Sequence, residues 1–253
     1  MLDFKILALN LDIQWKNPHA NRQQIEALLQ ETTADLYLLP EMFTTGFCMD
    51  AEAIADSHNE TLQWMQNWAE AKQAALCGSV SIKENHQFYN RCFFVMPDRR
   101  YVQYDKRHLF SYSGEDQIYT AGKERVVVDY QGVRFLLQIC YDLRFPVFSR
   151  NQNDYDVALY LSNWPRQRIE AWQHLLKARA IENQAYVFGV NRIGTDGNGL
   201  HYPESTYAYA PDGRLVSEQN GTLVSASIDK AILQRHRAQF PFLGDADAFT
   251  LKI

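Results

Sequence analysis

The sequence predicts an α/β fold built in layers, and three observations lead there. Strand-like and helix-like segments alternate from one end of the 253 residues to the other. Asp156 to Leu161 is an almost wholly apolar run, as a strand reads when both faces of its sheet are covered. No linker, low-complexity tract or internal repeat interrupts the pattern, so residues 1–253 are expected to form one domain.

The elements follow in order. Phe4 to Asn10 reads as a strand, and Asn17-Pro18 opens a helix with Ile25, Leu28 and Leu29 on one face. Asp35 to Pro40 is a second strand-like run, closed by Glu41 and followed by a Gly-containing loop. Ser57-His58-Asn59-Glu60 has the capping-box pattern and predicts a helix carrying Leu62, Met65, Trp68 and Ala69. Leu76 to Ile82, Phe88 to Met96 and Tyr101 to Lys106 read as strands, the last two joined by a turn at Pro97-Asp98-Arg99-Arg100. Val126 to Tyr130 and Val133 to Ile139 flank the turn Gln131-Gly132. After the apolar strand ending at Leu161 comes a long helix with Ile169, Trp172, Leu175 and Leu176. Strands at Ala185 to Asn191, Ser205 to Ala210 and Thr222 to Ile228, a turn at Pro211-Asp212-Gly213, a short helix from Asp229 and an irregular tail complete the chain.

Composition narrows the class. The chain is 46% apolar and 22% charged, enough to bury a sizeable core. A net charge of −5, with no Lys/Arg-rich block, gives no electrostatic footprint for nucleic acid. No stretch approaches the apolar length of a membrane span, and Met1-Leu2-Asp3-Phe4-Lys5 leads into a strand without a signal-peptide layout, so the cytoplasm is the expected location. Cys48, Cys77, Cys92 and Cys140 form no C-x-x-C pair, which fits free thiols in a reducing compartment. Cys77 and Cys92 lie in strand-like runs and read as small buried hydrophobes, while Cys48 takes no role. No H-x-x-x-H or H-E-x-x-H appears, so neither a metal nor a cofactor is expected.

Three ionisable residues share one kind of address. Glu41 closes the run from Asp35, Lys106 closes Tyr101 to Asp105, and Cys140 closes Val133 to Ile139. In α/β sheets the carboxyl ends of strands are where chemistry collects. A Glu, a Lys and a Cys brought together there supply a base, an electrophilic stabiliser and a nucleophile. Each alone has a bland reading: a strand-end Cys is usually structural, and a strand-end Glu or Lys is usually solvated.

The surrounding residues overturn that reading. Leu39-Pro40-Glu41-Met42-Phe43, Tyr104-Asp105-Lys106-Arg107-His108-Leu109-Phe110 and Cys140-Tyr141-Asp142-Leu143-Arg144-Phe145-Pro146 resemble the three catalytic signatures of the nitrilase, or carbon–nitrogen hydrolase, superfamily. Ser162-Asn163-Trp164-Pro165 and Ala178 to Tyr186 extend the likeness over nearly the whole chain, which within the superfamily is similar to the bacterial ω-amidase branch. The resemblance implies a four-layer α-β-β-α sandwich of the nitrilase type, usually extended through a homodimer. It also implies Cys140 as nucleophile, Glu41 as base then acid, Lys106 as oxyanion partner and Glu115 as a second glutamate supporting the lysine. Tyr141 is expected to offer its backbone N–H to the oxyanion.

The substrate pocket is less legible. Trp164 and Phe43 stand near rim positions and are candidates to wall it, with core packing the alternative. Arg166 and Arg168 follow the Ser162-Asn163-Trp164-Pro165 strand end and are candidates to clamp a substrate carboxylate, with solvated charges at a helix start the alternative, while Arg144 reads as structural, paired with a nearby acid. The leading function is hydrolysis of a small ω-amide of a 2-oxo dicarboxylic acid, 2-oxoglutaramate or 2-oxosuccinamate. Its partners would be that small molecule and water, with no nucleic acid and no membrane. An N-carbamoyl amidohydrolase, a true nitrilase and a catalytically silent interaction module are the alternatives.

Overall fold

The computed structural model describes residues 4–251. Its strands are β1 Phe4–Leu9, β2 Leu36–Leu38, β3 Ala75–Glu84, β4 Gln87–Val95, β5 Tyr101–Asp105, β6 Val127–Tyr130, β7 Val133–Ile139, β8 Val157–Ser162, β9 Tyr186–Asn191, β10 Gly194–Thr195, β11 His201–Tyr202, β12 Tyr207–Tyr209, β13 Glu218–Asn220 and β14 Leu223–Ile228. The helices are α1 Pro18–Leu29, α2 Ala51–Ile54, α3 Glu60–Lys72, α4 Glu115–Ile118, α5 Pro146–Ser149, α6 Ile169–Asn183 and α7 Lys230–Gln239. One sheet has seven strands in the order β13-β14-β1-β2-β3-β4-β5, a second has five in the order β12-β9-β8-β7-β6, and β10 pairs only with β11.

Period-2 alternation decides how the sheets stack. Ile6, Ala8, Leu36, Leu38, Cys77 and Phe94 from the first sheet meet Phe135, Leu137, Leu159, Leu161 and Phe188 from the second in one buried cluster. The opposite faces are covered by helices. Leu7, Tyr37, Leu76 and Phe93 pack under Ile25 and Leu29 of α1 and Met65, Trp68 and Ala69 of α3. Ala158, Tyr160 and Val187 pack under Trp172, Leu176 and Ala180 of α6. The result is the expected α-β-β-α order. Gly189 lets α6 lie close: a Cβ there would stand 2.2 Å from Leu176 Cδ1.

Local signals mostly act as read. Asn17 caps α1 by accepting from the Ala20 N–H at 3.1 Å, with Pro18 as first helical residue. The α3 cap differs from the expectation. Asp56, not Ser57, accepts the N–H groups of His58, Glu60 and Thr61, at 3.0, 3.2 and 2.7 Å. A carboxylate with two oxygens reaches several donors at a positive helix end, which a hydroxyl cannot match.

Candidate active site

Glu41, Lys106 and Cys140 leave different strands but end up at one rim. The chain reverses directly after Glu41, where Met42 adopts a left-handed φ of 46°. Its N–H is held by Ser79 Oγ at 2.9 Å. Lys106 follows β5, and its N–H donates to the Asn90 carbonyl at 3.0 Å. Glu115 opens α4 nine residues later, and its Oε2 accepts from the Phe110 N–H at 2.6 Å.

The three charged side chains form one cluster with no exposed surface. Lys106 Nζ donates to Glu41 Oε1 at 2.9 Å and to Glu115 Oε1 and Oε2 at 3.0 and 2.8 Å. Asn90 Nδ2 ties the two carboxylates together, at 2.8 Å from Glu41 Oε1 and 3.2 Å from Glu115 Oε1. Ser79 Oγ donates to Asn90 Oδ1 at 2.9 Å, so the amide's orientation is set. Glu41 Oε2 is held from the other sheet by the Asn163 N–H at 2.9 Å and Asn163 Nδ2 at 3.2 Å.

Electrostatics follow from this packing. Desolvation pulls the Lys106 ammonium down, but Glu115 and Glu41 outweigh it and hold its pKa above the ordinary lysine value. Burial raises the Glu115 carboxyl, with Lys106 opposing. The lysine is therefore a fixed positive charge between two acids.

Cys140 stands at the end of β7 with a left-handed φ of 46°, a conformation costly for a side chain with a Cβ. Asp142 holds the turn. Its fully buried carboxylate accepts from the Ile139 N–H at 2.8 Å, the Tyr104 hydroxyl at 2.7 Å, and the His108 N–H at 3.0 Å. Tyr104 and His108 flank Lys106, so one acid ties the lysine segment to the cysteine turn. Burial, then the charge on Glu41, pushes the Cys140 thiol pKa up, while Lys106 and a backbone hydrogen bond from Asn163 draw it down. The sulfur thus sits between charges of both signs.

Cys140 opens onto a cavity of about 850 Å³, also lined by Tyr141, Trp164, Phe47, Asp196 and Tyr202. The Tyr141 side chain is on that wall, edge-on to Phe110 and Phe145 with both ring centroids 5.0 Å away. Its backbone N–H belongs to the first turn of the 3-10 segment Cys140–Arg144, where N–H groups lack partners within the turn. Trp164 lines the same cavity and also packs into the core under α6.

Three readings of the sequence are corrected here. Phe43 is not on the wall; it lies fully buried behind the site, against Gly78 and Trp64. The reversal at Met42 turns its ring into the α3 core. Arg166 is exposed and off the cavity, whereas Arg168 lines it. In the 3-10 turn Arg166–Arg168 residues two apart point in different directions. Arg144 has no acid partner among the described residues; its guanidinium lies 5.2 Å from the Trp164 ring centroid.

Asn90, Ser79, Asn163 and Asp142 drew no role from the sequence. Polar residues within strand-like apolar runs, as at Ser79 and Asn90, were the available signal. Cys48 also lines the cavity and accepts from the Asp50 N–H at 3.4 Å. Among the described residues no group of His, Cys, Asp and Glu side chains is arranged to hold a metal ion, and no helix is long and apolar enough to cross a membrane.

The carbon-nitrogen hydrolase family model matches residues 7–238. The chain belongs to the carbon–nitrogen hydrolase family. It is 43% identical to omega-amidase YafV of Yersinia enterocolitica over 99% of this chain and 100% of that one. A 2-oxoglutaramate amidase of Bacillus subtilis is 29% identical over 96% of this chain and 98% of its own. Among solved structures, XC1258 from Xanthomonas campestris superposes with a TM-score of 0.96 at 40% identity, covering both chains completely. That protein is described as a CN-hydrolase superfamily member with an arsenic adduct in its active site. The protein is thus an omega-amidase-like carbon–nitrogen hydrolase with the nitrilase-type sandwich fold.

Proposed function

We propose that the protein hydrolyses the ω-amide of a small 2-oxo dicarboxylic acid, 2-oxoglutaramate or 2-oxosuccinamate, through a cysteinyl thioester. The observation that carries this reading is the buried Glu41–Lys106–Glu115 cluster beside a cavity-lining thiol. An amide is a poor electrophile, and splitting its hydrolysis through an acyl-enzyme lowers each barrier.

In the first step Glu41 takes the Cys140 proton as sulfur attacks the amide carbon. Passing the proton to Glu41 as sulfur attacks avoids a standing thiolate, which burial disfavours. The carbonyl electron pair moves onto oxygen, where the Lys106 ammonium and the Tyr141 N–H stabilise it. Collapse breaks the C–N bond, and the proton on Glu41 goes to the departing nitrogen, releasing ammonia. Water then attacks the thioester with Glu41 as base, and the acid leaves as Cys140 regains a proton. Glu115 keeps Lys106 charged and aimed throughout.

The substrate name is supported by the omega-amidase and 2-oxoglutaramate amidase relatives and by cationic side chains around the cavity. Lys16, Arg144 and Arg168 line it, with Asp50 and Asp196 as its acids. Lys16 is paired with Asp50 at 2.7 Å. Asp196 is occupied by the Tyr202 hydroxyl at 2.9 Å and by the N–H groups of Asn198 and Leu200. The unmatched charge is positive, which suits an anionic substrate. A homodimer remains part of this reading.

The test is ammonia release from a panel of 2-oxo ω-amides, nitriles and N-carbamoyl compounds, with trapping of the acyl-enzyme by hydroxylamine. The 2-oxo ω-amides should be turned over best and yield a hydroxamate. Faster release from a nitrile or carbamoyl compound would replace the reading by one of its alternatives.

A further inference from the structure

We infer that Arg168 is the specificity residue of this cavity, its guanidinium receiving the substrate's distal carboxylate. The inference rests on the anionic 2-oxo amide proposed above and deepens it. Several observations meet at this residue. Arg168 lines the same cavity as Cys140. Its guanidinium carbon lies 5.1 Å from the centroid of the Phe110 ring. The Phe110 N–H in turn binds Glu115 Oε2, so the aromatic platform is continuous with the lysine cluster.

The backbone at Arg168 is pinned as well. Its carbonyl accepts from Trp164 Nε1 at 2.6 Å, and its N–H donates to the Pro165 carbonyl at 3.0 Å. Trp164 follows directly on Asn163, whose N–H binds Glu41. The Arg168 backbone and the ring beneath its guanidinium are therefore both tied to the Glu41–Lys106–Glu115 cluster by short links.

What Arg168 lacks is an acid. Among the described residues no carboxylate forms an ion pair with it, in contrast to Arg91, Arg125, Arg134, Arg179 and Arg192. A planar guanidinium held on an aromatic face keeps its N–H edge free, and that edge matches a carboxylate in two-pronged fashion. Lys16 cannot serve in the same way, because Asp50 already takes it. Arg144 lines the cavity too, over Trp164, but is the more exposed of the two.

The test compares 2-oxoglutaramate with 4-oxopentanamide, the neutral amide in which a methyl group replaces the carboxylate. Wild-type protein should prefer the anion. Arg168→Leu and Arg168→Gln should each lower kcat/KM for the anion by roughly 10- to 100-fold, mainly through KM, and collapse the preference toward unity. Thermal unfolding of both variants checks that the fold is kept. An equal loss on both amides would make Arg168 structural and overturn the inference. So would a preference that survives both substitutions, or one that Arg166→Leu removes instead. A wild-type protein indifferent to the carboxylate would sink the anionic-substrate reading itself, whatever Arg168 does.

Discussion

Glu41 and Lys106 follow strands of the seven-stranded sheet and, with Glu115 at the start of α4, finish with their polar atoms matched inside the protein, whereas Cys140 ends β7 of the five-stranded sheet in a left-handed turn on a cavity wall. The first region holds charge by burying it: each acid of the cluster accepts from Lys106, and Asn90 joins them. The second holds a thiol on the cavity wall by backbone geometry, with Asp142 fastening the turn. Removing a member of the first region strands its partners in a medium that does not solvate them. Removing the sulfur from the second strands nothing.

The sharpest break in that comparison is Cys140→Ala. Turnover should fall by about 10⁴-fold or more, since no other group can carry the acyl chain. Stability should move by less than about 1 kcal/mol, because the site loses one half-buried sulfur and no ion pair. Iodoacetamide should alkylate Cys140 well before Cys77 and Cys92, which are buried 3.5 Å apart between the sheets. Steady ammonia release from the alanine protein would remove the nucleophile from the mechanism.

Lys106→Met tests the other region and should hurt twice. On the proposed mechanism it removes one oxyanion donor, which should lower kcat by roughly 10²- to 10³-fold. Glu41 and Glu115 are left buried without their cation, at a cost of about 3–5 kcal/mol. Urea unfolding alongside kinetics separates the two effects. A variant that loses activity and keeps full stability would mean that the cluster tolerates unpaired acids, and the contrast between the regions would fail.

That contrast also explains what could be read from the sequence. Glu41, Lys106 and Cys140 were legible because each closes a strand-like run inside a recognisable string, and Glu115 because it follows the lysine string closely. Asn90 and Ser79 were not, since a polar residue within a strand has no spacing signature and its partner lies on a neighbouring strand. Phe43 could not be separated from Trp164 by pattern, because the left-handed turn at Met42 reverses which way the chain faces. Most strands and helices of the two sheets were recognisable from periodicity to within a few residues. The hairpin β10–β11 and strand β13 were missed, since two- and three-residue strands offer no period to detect.

The smallest expected effect concerns acid, and it compares two buried carboxylates of opposite tendency. Burial alone would raise Asp156, but hydrogen bonds from the Arg134 side chain and backbone outweigh it and hold its pKa below the ordinary aspartate value. Its bonds to Arg134 Nη2 at 2.8 Å and Arg237 Nη1 at 3.3 Å join β7, β8 and α7. That stabilisation is present above the unfolded value and is lost as pH falls through the lowered folded one. Glu115 has the reverse sign: burial raises its pKa above 4.5, so its contribution is full below that value and declines as pH rises through the folded one. Relative to wild type, Asp156→Asn should therefore narrow its stability deficit in acid. Glu115→Gln should narrow its deficit toward neutrality instead. Urea unfolding of the three proteins between pH 3 and pH 7 measures both slopes. Parallel slopes would show that the Lys106 pairing, rather than burial, dominates Glu115, and that the site's second acid is held as firmly ionised as Asp156.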